Sequence, residues 1–312
     1  MTAAHAGALV LRMYTMESVT VGIKIGIGLP TRAAGLRGDV LLEWATRADR
    51  GPFASLAVTD RVAFEAQEPL IALAVAAGVT RRVRLLTSIL LAPTRETTLL
   101  ARQAASLDAL SGGRLTLGVA IGAREADYNA TGYAFHERGR RLEEQLPLLR
   151  RIWGGELVVA GVGPIGPAPF RAGGPELLIG GYVPAVARRV AAWGDGFMAP
   201  GGGEPAAMLE LWRAIEAAWA AAGRAGRPRW VSGSYYALGP TAEADASAYI
   251  EATYGSDPAL AERRLRGLPR TRSAVVEAIQ RAADSGVDEL VLRPCSARVD
   301  QLDRLAELVD ST

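Results

Sequence analysis

The sequence predicts an α/β protein of the (β/α)8 TIM-barrel type, with extra loops at the C-terminal mouth. Three observations predict it. Short apolar or β-branched runs alternate with segments of helical spacing along the chain. The runs are apolar at nearly every position, as parallel strands buried on both faces are. Eight such runs can be counted, which favours a closed barrel over an open sheet.

The strand runs are VGIKIGIGL (21–29), SLAVT (55–59), VRLLTSILL (83–91) and RLTLGVAI (114–121). Four more follow at ELLIG (176–180), FMAP (197–200), WVSGSYYAL (230–238) and ELVLR (289–293). Leu100, Gln103, Ala104, Leu107 and Leu110 share one helical face, and Met208, Leu211, Trp212, Ile215 and Trp219 another. In SLDALSGGRLTLGVAIGA (106–123), Gly112 and Gly113 supply the positive φ that ends a helix before an apolar strand begins. An open doubly wound sheet would call for a dinucleotide fingerprint, and GIGLPT (26–31) lacks its third glycine. AGVGPIGPAPFRAGGP (160–175) and ATYGSDPALAERRLRGLPRTRS (252–273) break the alternation and read either as lids or as plain surface connections. Residues 1–17 read as a disordered extension and 18–312 as a single barrel domain.

Composition narrows the function classes. Of 312 residues, 49% are apolar and 22% charged, with a net charge of +2, a balance that points to neither nucleic acid nor an acidic surface. Lys24 is the only lysine. No apolar run reaches the roughly 18–20 residues that span a bilayer. Cys295 is the only cysteine, so no intrachain disulfide forms and a cytoplasmic setting is expected. His5 and His136 lie far apart with no cysteine cluster near either, which argues against a structural metal site.

Several stretches together resemble the luciferase-like monooxygenase superfamily: RVRLLTSILLAPTRETTLLARQAASLDALSGGRLTLGVAIG (82–122), ADYNATGYAFHERGRRLEEQLPLLRRIW (126–153), ELLIGG (176–181) and RRVAAWGDGFM (188–198). The resemblance implies a barrel that binds FMN or the deazaflavin F420 at its C-terminal mouth. With reduced FMN and O2 such enzymes oxygenate a small organic substrate through a flavin hydroperoxide, the reduced flavin coming from a separate reductase. A homodimer is common among them. An F420-dependent reductase or dehydrogenase is the second reading, and a cofactor-free barrel serving as a binding protein the third.

Candidate site residues follow. Gly180 and Gly181 end a strand and open a helix, where unshielded N–H groups attract an anion, although a plain βα turn has the same sequence. The resemblance places the cofactor phosphate there, on Gly180, Gly181, Tyr182 and Val183. It also implies a non-prolyl cis peptide at Ser88–Ile89 supporting the flavin ring, against an ordinary strand serine. Ala120 and Gly122 occupy the end of the fourth strand, where F420 users often carry Gly-x-Gly-Glu; no acid follows Gly122 here. Asp60 is followed by Arg61 where F420 users often have Asp-His, so the usual proton-exchanging imidazole is absent. Arg61 either holds an anionic group or pairs with Asp60 or Glu65. The triglycine 201–203 replaces a segment that often carries a lysine, a further departure from F420 use. Tyr128 and His136, after the fourth strand, are candidates for hydrogen bonding and general-base work, or else for loop packing and helix capping. Arg293 ends the last strand facing the mouth, to bind phosphate or to pair with Asp288 or Glu289. Cys295 reads as inert packing.

Overall fold

The computed structural model describes residues 22–201 and 204–311; residues 1–21 and Gly202, Gly203 and Thr312 lie outside them, and with them the expected N-terminal extension and two of the three glycines at 201–203. Eight parallel strands close into a barrel in chain order. They are β1 (Lys24–Gly28), β2 (Ser55–Val58), β3 (Arg84–Leu91) and β4 (Leu115–Ala120). The second half is β5 (Glu176–Gly180), β6 (Gly196–Met198), β7 (Arg229–Tyr236) and β8 (Glu289–Pro294). β8 pairs with both β7 and β1, with Ile25 against Leu290 and Ser232 against Leu290, so no edge is left open.

The helices of the first half are α1 (Gly38–Arg50), α2 (Pro69–Val79), α3 (Thr97–Leu110), α4 (Glu125–Asn129) and α5 (Arg138–Trp153). In the second half stand α6 (Ala185–Trp193), α7 (Pro205–Ala221), α8 (Ala242–Tyr254), α9 (Pro258–Arg266), α10 (Arg272–Asp284) and α11 (Asp300–Asp310). Several start by one device. The carboxylates of Glu68, Glu204 and Asp257 accept the N–H groups of Ile71, Ala207 and Leu260, and a proline without an N–H follows each. α3 ends as its sequence requires: Gly112 and Gly113 have φ of 68° and 79°, and the Gly113 N–H reaches back to the Asp108 carbonyl. β4 is buried at every position.

Two sequence expectations need correction. Gln103 and Leu110 are exposed on α3; the buried face runs through Leu100, Ala101, Ala104, Ala105 and Leu107, so small alanines and not the longer side chains at 103 and 110 face the barrel. The two irregular stretches also differ from each other. The 160–175 segment enters β5 at the N-terminal end of the barrel, where the N–H groups of Phe170 and Arg171 donate to Asp108 and the Phe170 ring covers Gly113. It is a connection at the end away from the mouth, so it is not a lid. The 252–273 stretch is largely helical, completing α8 and forming α9.

The N-terminal end of the barrel is filled by an ion-pair network. Glu176 of β5 accepts from Arg84 of β3 at 3.3 Å, from the Thr116 hydroxyl of β4 at 2.7 Å and from Arg229 of β7. Arg229 also donates to the fully buried Glu289 of β8, which accepts from the Ser55 hydroxyl of β2. Glycine makes room for this: a Cβ on Gly26 would strike the Ser55 hydroxyl and Glu289, and one on Gly196 the Arg229 backbone.

Burial pushes the Glu176 carboxyl up, but Arg229, Thr116 and Arg84 overcome it and hold the group below the ordinary glutamate range. A depressed carboxylate contributes stability above its unfolded pKa and loses it as pH falls through the folded one. Urea midpoints of the wild type should therefore fall as pH drops below the ordinary glutamate value. Glu176→Gln is expected to be less stable at neutral pH and to show a flatter acid limb.

Candidate active site at the C-terminal mouth

Small residues at the C-terminal ends of the strands leave the upper barrel open. The resulting cavity, about 390 Å³, is bordered by β3 through β8 and the loops that follow them. One wall is apolar, from Ile89, Ala120, Val186 and Met198. Four arginines line the rest, Arg138 of α5, Arg189 of α6, Arg264 of α9 and Arg293 of β8, and among the described residues no carboxylate or histidine joins them in the lining. The cavity is therefore electropositive.

The floor is set by Arg293. It is buried, and its side chain crosses the barrel above Gly233 to β3, where it donates to the hydroxyl and carbonyl of Ser88. A Cβ on Gly233 would lie 2.4 Å from its guanidinium, and one on Gly28 would lie 3.0 Å from its Cα. The Ser88–Ile89 peptide is cis. The β3–β4 register shifts between Thr87 and Leu90, where a Cβ on Gly118 would strike the Thr87 carbonyl.

On the opposite side Gly180 ends β5 and Gly181, with φ of 149°, turns the chain into α6. Tyr182 and Val183 stand exposed at the rim. Arg264 donates to the Gly201 carbonyl and, at 3.4 Å, to the Tyr182 hydroxyl. Arg138 lies 3.7 Å over the Phe135 ring, and Arg189 is anchored by Glu143. The Nε atoms of Arg138, Arg264 and Arg293 are buried without a hydrogen-bond partner. A buried N–H without a partner is costly, so the chemistry of the donor set suits an anion.

All of the residues expected to bind cofactor, Ser88, Ile89, Ala120, Gly122, Gly180, Gly181, Tyr182, Val183 and Arg293, line this cavity. Arg293 does not pair with Asp288 or Glu289, which are taken by Arg227 and Arg229. The four residues expected to be catalytic are not in the lining. Asp60 is buried and accepts from the Leu91 N–H at 2.9 Å and from Arg95 at 2.6 Å, tying the end of β2 to that of β3. Arg61 pairs neither with Asp60 nor with Glu65 but with Asp127 at 2.9 Å, a carboxylate that also accepts the N–H groups of Val62 and Ala63. Tyr128 is buried and donates to the Ile121 carbonyl; burial pushes its hydroxyl up to about 12, so it supports the wall from behind. His136 is exposed on the short 3-10 turn Phe135–Glu137. Burial also raises the Cys295 thiol, in keeping with packing.

Sequence reasoning missed Arg138, Arg189, Arg264, Tyr235 and Tyr254. Arg138 sits in the helix-start run HERGRR, where nothing separates it from its basic neighbours. Tyr254 and Arg264 come from the 252–273 stretch, whose irregular texture was the one available signal.

A sequence profile of the luciferase-like monooxygenase family matches residues 21–311. An uncharacterized protein of Mycobacterium tuberculosis is 35% identical over 145 residues, 44% of this chain and 49% of that protein. The oxygenase component of a flavin-dependent trigonelline monooxygenase of Acinetobacter baylyi is 32% identical over 123 residues, 38% of this chain and 34% of that protein. The chain thus spans about half the length, or less, of these curated relatives. Among solved structures, the monooxygenase RslO1 of Streptomyces bottropensis superposes with a TM-score of 0.75 at 22% identity, covering 93% of this chain and 98% of its own. An F420-dependent secondary alcohol dehydrogenase with an F420–acetone adduct gives 0.73 at 18% identity, covering 93% and 98%. At these identities the two structures share the fold with this chain.

Gly180→Ala would put a Cβ 2.4 Å from Ile89 and 2.7 Å from the Met198 carbonyl. That carbonyl is backbone and cannot yield, so the variant should lose about 1–3 kcal/mol in urea unfolding. Gly78→Ala, inside α2 with open space around it, should gain about 0.5–1 kcal/mol in the same assay.

Proposed function

The chain belongs to the luciferase-like monooxygenase family, and from that premise we propose that it is a monooxygenase acting with reduced FMN and O2 on a small organic substrate. The observation that carries the reading is the cavity itself: four arginines and no carboxylate, facing an apolar wall at the barrel mouth. Such a lining suits a flat, largely apolar ring system ending in a phosphate. The N–H groups at the start of α6, after Gly180 and Gly181, together with the Arg138 guanidinium, would hold the phosphate. Ser88, Ile89, Ala120 and Gly122 would border the ring.

Reduced flavin, when bound, supplies the electrons for activating O2. The chain's own residues do the rest. Ile89, Ala120, Val186 and Met198 exclude water from the reacting region. Arg293 fixes Ser88 through its hydroxyl, so this part of the wall is held by the chain itself. FMN is preferred over F420 because no histidine lines the cavity: Arg61 stands where F420 users often carry one, and it is committed to Asp127. A separate reductase would provide the reduced flavin; the Acinetobacter relative is named an oxygenase component, which supports a two-component arrangement. We further propose a cytoplasmic setting and a homodimer, for which the exposed Ile71, Leu99 and Leu110 on α2 and α3 offer an apolar face.

Anaerobic titration with FMN, riboflavin and F420 tests the reading. FMN should bind more tightly than riboflavin. Arg138→Ala should weaken FMN at least tenfold, since a hydrogen bond to a charged group contributes about 1.5–3 kcal/mol, and should leave riboflavin binding unchanged. Labelled O2 should then appear in the product. Binding of F420 with no affinity for FMN overturns the assignment in favour of the deazaflavin.

A further inference from the structure

Among the described residues, the cavity lining contains no side chain that ordinarily exchanges protons near neutrality. It has no carboxylate and no histidine, and its four arginines stay protonated. The remaining candidates are hydroxyls. Among them Tyr235, near the end of β7, is set apart by its surroundings. Its hydroxyl lies 3.0 Å from that of Tyr254 on α8, and both side chains line the cavity. The charged groups facing it are cations from three separate elements: Arg32 from the loop after β1, Arg264 from α9, and Arg293 of β8, whose guanidinium carbon is 6.0 Å from the ring centroid. α8 adds the ring of Tyr249 at 5.2 Å and that of Tyr254 at 6.4 Å. Arg264 and Arg124 each lie 5.5 Å over the Tyr254 ring.

We propose that Tyr235 is the acid–base group of this cavity, with Tyr254 relaying its proton toward solvent. This rests on the reading that the cavity holds the reacting groups. In the donating direction, the Tyr235 O–H bond breaks and its proton passes to an oxygen of the cofactor or substrate. The electron pair stays on the phenolate, which faces Arg32, Arg264 and Arg293. Tyr254 then gives its hydroxyl proton to the Tyr235 oxygen and, at its half-buried position, takes one from solvent water, which leaves as hydroxide. No other bond changes and nothing is oxidised. Burial raises a phenol, yet Arg32, Arg293, the hydrogen bond from Tyr254 and Arg264 together hold Tyr235 below the ordinary tyrosine value. Tyr254 is instead pushed up, by burial and by its neighbour Tyr235. The two hydroxyls are thereby separated into one that ionises and one that passes the proton on.

Ultraviolet titration of the cofactor-free protein reads tyrosinate directly and does not depend on which flavin is bound. One of the eight tyrosines should ionise ahead of the others. Tyr235→Phe should abolish that early step. Arg264→Gln should shift it to higher pH, and it keeps the phenol in place should Tyr235→Phe fold poorly. Reoxidation of bound reduced FMN by O2, followed against pH, should slow roughly 100-fold in Tyr235→Phe and lose its pH-dependent limb, with FMN affinity retained. The proposal is overturned if no early step is present in the wild type, if the step survives Tyr235→Phe, if Arg264→Gln leaves it unmoved, or if the pH limb persists without the phenol. Failure of FMN to bind would remove only the kinetic arm and would count against the proposed cofactor; the titration would still decide the role of Tyr235.

Discussion

The ion-pair network of Arg84, Glu176, Arg229 and Glu289 is the constraint on which the rest of the barrel depends. A closed eight-stranded barrel has an interior just wide enough to be filled by side chains. At the N-terminal end this chain fills it with long charged side chains, each held by partners from other strands. Arg229 binds two carboxylates, and Glu176 accepts from Arg84, Thr116 and Arg229. Removing Arg229 would leave the fully buried Glu289 carboxylate without its ion-pair partner, which costs far more than the pair contributes. The network ties β2, β3, β4, β5, β7 and β8 together at one level, so the strands arrive at the other end in fixed positions.

The C-terminal end uses the opposite strategy. Glycines on β1, β4, β5 and β7 and the alanine ending β4 withhold side chains, and a single arginine spans the space they leave. Arg293 can reach Ser88 only because Gly233 has no Cβ. The same contact holds Ser88 of β3 at the cavity wall. Floor and wall are thus one structure, set by a residue on β8 and answered by one on β3.

How much of this was legible in the sequence follows from which features are local. Strand identity was: a strand buried on both faces is apolar throughout, so β4 and β5 stand out as runs. The end of α3 was too, since Gly112 and Gly113 carry their backbone requirement with them. The cavity wall was legible through the motifs at 88–89, 120–122 and 180–183, which lie at strand ends that any barrel of this type turns toward its mouth. Partnerships between distant segments were not. That Arg61 meets Asp127, and not Asp60 one residue away, depends on how α4 packs against the β2 loop. Asp60 stands where the resemblance puts an Asp-His pair and so reads as a site residue, yet its carboxylate is spent on the Leu91 N–H and Arg95. The 252–273 stretch showed no clear periodicity because α9 is short and buries only Ala261; its contribution to the site, Arg264, looks like any surface arginine until the fold closes.

The cationic lining links binding to chemistry. Guanidinium groups that would receive an anionic cofactor also act on every other group in the cavity, and in a partly desolvated site that field is weakly screened. It favours the ionised form of any acid within reach and disfavours a second cation. With carboxylates and histidine absent from the lining, the acid within reach is a phenol. On the proposed reading an arginine-rich mouth would do more than hold a phosphate. It would favour the ionised form of Tyr235, and it would disfavour substrates bearing a positive charge next to the floor that Arg293 forms. Arg264 and Arg293, which both line the cavity and face Tyr235, would on this reading act on cofactor affinity and on proton transfer together, so a change at either should register in both properties.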